Sequence, residues 1–296
     1  MLEISAEAKQ FCSNAIFITG PARSGTSIVG KIIHSLNLVE YAYEPPMMVT
    51  LMSLIDRLDA ADWKLLCDTY IYEEFFLNAI AGRAINCNSA DFSSIYGTKT
   101  VEDVERRLST HFTKKMCQES GANSVVAIKI PDVVHSIPKL KTYYPTMRVV
   151  VVLRDAVDTI NSLLQKEWFS PKDPNSDLVW PFRRHKGVNV PFWVRPGDDE
   201  LWLNISEVDR AAYYYIRVNE DVERIDGRIE LRYGHLLENP HKATKALARS
   251  LGLDFGAKTE EVINNIRPTN PVRDKQLIAS ISSEFRDKVE HYSQGV

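Results

Sequence analysis

Ala15-Ile-Phe-Ile-Thr-Gly-Pro-Ala-Arg-Ser-Gly-Thr-Ser-Ile-Val-Gly-Lys-Ile-Ile-His-Ser-Leu-Asn-Leu38 is the stretch whose reading decides the fold. Ala15 to Thr19 is a strand-sized apolar run, and Gly20 ends it. Beyond Thr26 the period changes. Ile28, Ile32, Ile33 and Leu36 recur at helical spacing, with Val29 widening the apolar face, so a helix is predicted over Ser27 to Leu38. Strand, loop and helix in this order make the first half of a parallel α/β unit. Gly20 and Gly25 admit backbone torsions and close approaches that a side chain would block. The amides of Arg23 to Ser27 can then converge at a helix N-terminus, where partial positive charge favours an anion. Arg23 adds a fixed charge, and Ser24, Thr26 and Ser27 are expected to add hydroxyl donors.

Working outward, Ser124 to Ile130 and Arg148 to Leu153 read as further strands. Their continuous β-branched runs suit parallel strands covered on both faces. Arg228 to Tyr233 reads as another strand. Helices are predicted over Met47 to Ala60, Asp62 to Arg83, Asp155 to Gln165, Glu207 to Arg224, and Pro240 to Leu251 closed by Gly252, with Asp91 to Lys99 a loop. Trp168 to Leu203 holds many prolines, four tryptophans and little periodicity, and reads as an insertion that folds over the sheet. The expectation is an α/β fold of three layers, P-loop-like, with a central, mostly parallel sheet flanked by helices, in one domain spanning residues 1–296.

The 296 residues carry 36 Lys+Arg against 39 Asp+Glu, a net charge of -3. That balance argues against bulk electrostatic binding of nucleic acid, so an anion site must be local. Cys12, Cys67, Cys87 and Cys117 are scattered, with no spacing that suggests a metal or a disulfide framework. No apolar run reaches the roughly 20 residues of a membrane span, and Met1 to Asn14 has no leader-like segment. A cytoplasmic protein is expected.

Gly20 to Ser27 matches the P-loop spacing except that Thr26 stands where the lysine belongs, and the charge sits inside the loop at Arg23. The layout resembles the 5′-phosphosulfate loop of sulfotransferases that use 3′-phosphoadenosine 5′-phosphosulfate (PAPS), commonly Pro-Arg-Ser-Gly-Thr-Thr. Val152-Leu-Arg-Asp-Ala-Val-Asp-Thr-Ile-Asn-Ser162 agrees independently. The resemblance places Arg154 and Ser162 on the 3′-phosphate of PAPS, and Tyr233, in Arg232-Tyr-Gly-His-Leu-Leu237, beside the adenine. Arg273, or else Lys275, stands for the family's late basic segment, without its glycines. Asp155 reads as a helix cap or an orienter of Arg154; as a Mg²⁺ ligand it would fit a P-loop kinase or ATPase, but the lysine partner is missing. A non-catalytic nucleotide-binding protein on the same fold is a further alternative.

The family's Lys-Thr-His segment corresponds here to Ile128-Lys-Ile-Pro131, which keeps Lys129 and lacks the histidine. Lys129 is therefore expected to face the transferring sulfuryl group. The resemblance to bacterial and carbohydrate-directed members implies a glutamate base after the first helix, and Glu44 in Tyr43-Glu-Pro-Pro46 sits there. A helix-terminal carboxylate is the plain alternative for Glu44, and Asp132 and His135 stand in reserve. The implied donor is PAPS with no metal, leaving PAP. The implied acceptor is a glycan, a lipid-linked sugar or a small natural product, sulfated at a hydroxyl or amine. Trp168, Trp180, Trp193 and Trp202, beside Arg183, Arg184, His185, Lys186 and Arg195, read either as acceptor platforms in a lid or as anchors for a long loop.

Overall fold

The computed structural model describes residues 2–170, 180–267 and 275–293. Its main sheet has five parallel strands: β1 (Ile16–Thr19), β2 (Val39–Tyr43), β3 (Val125–Lys129), β4 (Arg148–Leu153) and, after an antiparallel pair β5 (Phe182–His185) and β6 (Val188–Pro191) that lies outside this sheet, β7 (Ile229–Arg232). The order across it is β2-β3-β1-β4-β7. Ile16 of β1 pairs with Ala127 on one side and Arg148 on the other.

Side chains alternate between the two faces of a strand, so each strand feeds two cores. Ile16, Ile18, Ala127, Val150 and Val152 pack with Val29, Ile32 and Ile33 of the Thr26–Ser35 helix and with Leu247 and Leu251 of the Pro240–Leu251 helix. Phe17, Val126, Ile128, Val149 and Val151 face the other way, toward Trp63, Tyr72, Ile160 and Tyr213 to Tyr215. Helices therefore cover both faces of the sheet, giving the expected three layers.

Two boundaries differ from the sequence reading. The helix after the loop stops at Ser35, and Leu38 takes a left-handed turn (φ 59°) into β2, a strand not anticipated. Glu40 disguises that strand. It is 3% exposed, a place where a carboxylate is not expected, and it is neutralised by Arg107 through two hydrogen bonds of 2.8 and 2.9 Å. The helix begun at Pro46 ends at Ser53, and the next starts at Ala60 behind an Asp59 cap, then runs through π-wound Thr69–Phe76 to end at Ile80.

The Trp-rich insertion divides its tryptophans between the two readings. Trp193 and Trp202 are buried, their rings 5.1 Å apart and packed with Phe169 and Tyr213 or Tyr214. Trp168 and Trp180 are partly exposed and line a cleft above the sheet. Residues 171–179 lie outside the described part.

Candidate active site

All five parallel strands end at one edge, and the segments leaving them form a cleft of about 680 Å³. The chain leaves β1 toward β2 and β3 on one side and toward β4 on the other, the arrangement that opens a ligand crevice at the carboxyl ends of strands.

The loop after β1 is held from beneath. Gly20 (φ 134°) lies so close to β4 that a Cβ would stand 2.3 Å from the Val152 carbonyl oxygen. Ser24 corrects the expectation of a ligand-facing hydroxyl. Its Oγ donates to the carbonyls of Pro21 (2.6 Å) and Val152 (3.0 Å), and it is fully buried. The hydroxyl is consumed in shaping the loop. Arg23, Gly25, Thr26 and Ser27 line the cleft. The Thr26–Ser35 helix starts there with no side chain capping its N-terminus, so first-turn amides remain for an anion.

Gly25 (φ 98°) supports the Tyr233 ring so closely that a Cβ would lie 2.3 Å from it. Gly25→Ala is therefore expected to displace Tyr233 and impose left-handed strain, costing about 1–3 kcal/mol in urea unfolding. Wild-type stability would show that the loop has another way to accommodate the methyl.

Arg23, itself left-handed (φ 69°), donates from Nε to Ser162 Oγ at 3.1 Å, and its guanidinium lies 5.9 Å from the Trp168 ring. Arg154, leaving β4, donates to the Arg23 carbonyl at 3.1 Å, pairs with Asp158 at 3.5 Å and sits 5.4 Å over the Tyr233 ring. Its Nε is buried with no hydrogen-bond partner among the described residues. Asp155 is a helix cap, its carboxylate accepting from the Asp158 amide at 3.1 Å. Sequence reading assigned Arg23 and Arg154 to opposite ends of a ligand; the fold brings them together with Ser162 and Tyr233. Arg273 and the side chain of Lys275 lie outside the described residues.

Lys129 ends β3 opposite Tyr43 of β2. Its ammonium bonds to Glu44 and, at 3.0 Å, to Ser27 Oγ, and lies 4.6 Å from the Tyr43 ring centroid. Burial pulls this ammonium below the usual lysine range, with Glu44 opposing. Glu44 is held by its own N–H on the Lys129 carbonyl (2.9 Å) and adopts a left-handed φ of 43°. Such strain in a non-glycine residue concentrates at functional sites.

Asp132 lies beyond Lys129 in the same cleft, one oxygen accepting from Tyr214 Oη at 2.5 Å. Tyr214 in turn accepts from the Ala22 amide at 2.7 Å. Burial, with Glu44 adding to it, raises the Asp132 carboxyl from 3.8 to about 6. A carboxyl raised on folding favours the protonated native state, so its penalty is absent below pH 4 and complete above about pH 6. Asp132→Asn should thus stabilise the protein by about 1–3 kcal/mol at pH 7.5 and leave it unchanged at pH 4, in thermal melts. Destabilisation at pH 7.5 would mean that the Tyr214 hydrogen bond outweighs desolvation.

His135 packs against Phe192 at 5.8 Å and is not among the cleft-lining residues. The rest of the cleft wall is apolar and aromatic: Val49, Phe92, Trp180 and Phe192, with Trp168 beside Arg23. Phe92, Phe192 and Tyr214 were not anticipated; only the aromatic density of Tyr213-Tyr-Tyr215 hinted at a buried hub.

A family model described as the sulfotransferase family matches residues 15–189, more than half of the chain and all of the loop, Glu44, Lys129, Arg154 and Ser162. The chain belongs to the sulfotransferase family. Among solved structures, the sulfotransferase domain from the curacin biosynthetic pathway shares 12% identity over 95% of this chain and 96% of that one, with a TM-score of 0.50. A sulfotransferase from Mycobacterium avium shares 15% identity over 96% of this chain and 76% of that one, with a TM-score of 0.49. At these identities the curacin likeness speaks for the fold alone. No curated protein matches the sequence. No helix among the described residues of this sulfotransferase is long and apolar enough to cross a membrane, and none of their His, Cys, Asp and Glu side chains gather in threes as a metal would require.

Proposed function

We propose that this sulfotransferase uses PAPS as donor, without metal, and sulfates a hydroxyl or amine of a small or carbohydrate acceptor with Glu44 as the base. The observation that carries the reading is the buried, unpartnered Nε of Arg154 in a cluster with Arg23, Ser162 and Tyr233, at one end of a cleft that also holds Lys129 and Glu44. A cationic nitrogen buried without an acceptor is costly unless an anion completes it. Arg23, Arg154 and Ser162 fit a phosphate, Tyr233 fits a flat base, and the loop amides with Thr26 and Ser27 fit a second anion.

PAPS supplies the activated sulfuryl group; the chain's own residues do the rest. Lys129 has three donors. Glu44 and Ser27 take two, which leaves one for an anionic oxygen beside the loop. In a recessed site such a charge stabilises developing negative charge strongly. Glu44, partly exposed to the cleft, accepts the acceptor's proton as the nucleophile engages. The aromatic wall excludes water and holds the acceptor's body.

Calorimetry tests the donor: PAP is expected to bind without metal, and more tightly than ATP with Mg²⁺. Metal-dependent preference for ATP would point to a kinase or ATPase instead. Incubation with radiolabelled PAPS and an acceptor panel then tests turnover, and PAP binding with no transfer to any acceptor would favour a non-catalytic nucleotide-binding protein.

A further inference from the structure

Behind Tyr43, away from the arginines, the fold encloses a second cavity of about 250 Å³, lined among others by His34, Tyr41, Tyr70, Phe75 and Asn86. A narrow throat of roughly 10 Å³ lies between it and the main cleft. The throat shares Ser27, Tyr43 and Phe92 with the cleft, and His34, Tyr41, Tyr43 and Ser93 with the inner cavity. The three spaces therefore stand in series, starting beside the Lys129–Ser27 contact.

Two buried hydroxyls of the throat have no hydrogen-bond partner among the described residues: Tyr41 Oη and Ser94 Oγ, the serine only 6% exposed. Tyr41 reaches its place because Gly30 has no side chain; a Cβ there would lie 2.1 Å from the phenol oxygen. Leaving a hydroxyl buried and unpaired is costly, and two of them beside one passage point to a polar group that completes them once the throat opens. The inner cavity's charges are already matched. Glu40 is held by Arg107 in two hydrogen bonds of 2.8 and 2.9 Å, and the buried His34, bonded to Thr98 at 2.9 Å, is held neutral by burial. Lys31, which also lines the throat, rests its ammonium on the Phe92 ring at 4.6 Å. Aromatic walls, unpaired hydroxyls and a carboxylate already neutralised suit an uncharged ring carrying hydroxyls, with the Lys31 ammonium resting on a ring at the throat. Phe92, 51% exposed, stands at the throat on its solvent side, while Tyr43 is held under the Lys129 ammonium.

We infer that the cavity behind Tyr43 is a second binding site, taking a hydroxyl-bearing uncharged ring, and that it receives the far end of an elongated acceptor whose near end lies at Lys129 and Glu44. The second half of this statement rests on the function proposed above; the first does not. Phenolic and sugar rings share the required chemistry.

Saturation-transfer NMR on the full chain with saturating PAP tests it, using phenol and methyl β-glucopyranoside as separate probes. Ala84→Trp places a bulky ring at the cavity's exposed rim, and Tyr41→Phe removes one free hydroxyl. At least one probe is expected to give a signal that falls about tenfold in Ala84→Trp and measurably in Tyr41→Phe. Whichever probe does so names the source of the ring. Signals from neither probe, or signals unchanged in Ala84→Trp, overturn the site. Melting without probe supplies an independent check. Tyr41→Phe should melt at the wild-type temperature or above, because the lost hydroxyl bonds to nothing, and a lower Tm would overturn the argument from unpaired hydroxyls. PAP titration of the same samples separates the two readings. If PAP fails to bind while a probe still responds to Ala84→Trp, the donor assignment falls and the inner site stands.

Discussion

Lys129→Ala is expected to lower kcat for sulfuryl transfer by about 10²–10³-fold while weakening PAP binding far less, if the ammonium acts, as proposed, where charge develops during transfer. The surroundings sharpen that expectation. Lys129 is 1% exposed, anchored by Ser27 and Glu44, and set over the Tyr43 ring, so its donors are aimed before any ligand arrives. Glu44→Ala should cost about 10²–10⁴-fold in kcat by removing the proposed base. It also strands a buried ammonium, and the partial exposure of Glu44 limits the accompanying loss of stability to about 1–2 kcal/mol. Since each side chain positions the other, the double variant should lose much less than the product of the two single losses. Single-turnover rates with a fixed acceptor measure all three. Wild-type rates in Lys129→Ala would remove it from the chemistry, and strictly multiplicative losses would show that the pair does not act as a unit.

The second large effect belongs to Arg154. Arg154→Ala should raise the PAP dissociation constant by about 10–100-fold at fixed ionic strength, the usual worth of a charge-assisted bond in a recessed site. Arg154→Lys should recover little of it. A lysine carries the charge but cannot at once donate to the Arg23 carbonyl, lie flat over Tyr233 and present a further N–H to an anion. Arg23→Ala should weaken binding comparably, since it also frees Ser162. Calorimetry on folded variants decides this, and a change below about threefold for Arg154→Ala would mean that the orphaned Nε serves packing rather than a ligand.

What could be read in the chain follows the range of the forces involved. β1, β3 and β4 were legible because both faces of a central strand are buried, leaving uninterrupted apolar runs. Gly252, in the left-handed turn that ends its helix, and Asp155, which caps another, were legible because caps are local. β2 was hidden because Glu40 is tolerated only through Arg107, 67 residues away. The same divide runs through the site. Arg23, Gly25, Arg154 and Lys129 lie within a residue of a strand end or inside one short loop, and motif spacing finds them. The use of the Ser24 hydroxyl, the closeness of Arg23 to Ser162, and the Asp132–Tyr214–Ala22 chain depend on how distant segments meet, which no local pattern encodes.

Tyr214 gives that last chain a consequence for how the two ends of the cleft are linked. One phenol oxygen joins the amide of Ala22, under the donor loop, to the carboxyl of Asp132, on the acceptor wall, while its ring is wedged against Trp193 and Phe169. If, as proposed, a nucleotide binds the loop at Ala22 and an acceptor contacts Asp132, each would steady the other's end through the same oxygen, and by equal amounts. On that reading occupancy at one end of the cleft favours occupancy at the other, and Tyr214→Phe would make the two ends bind as strangers.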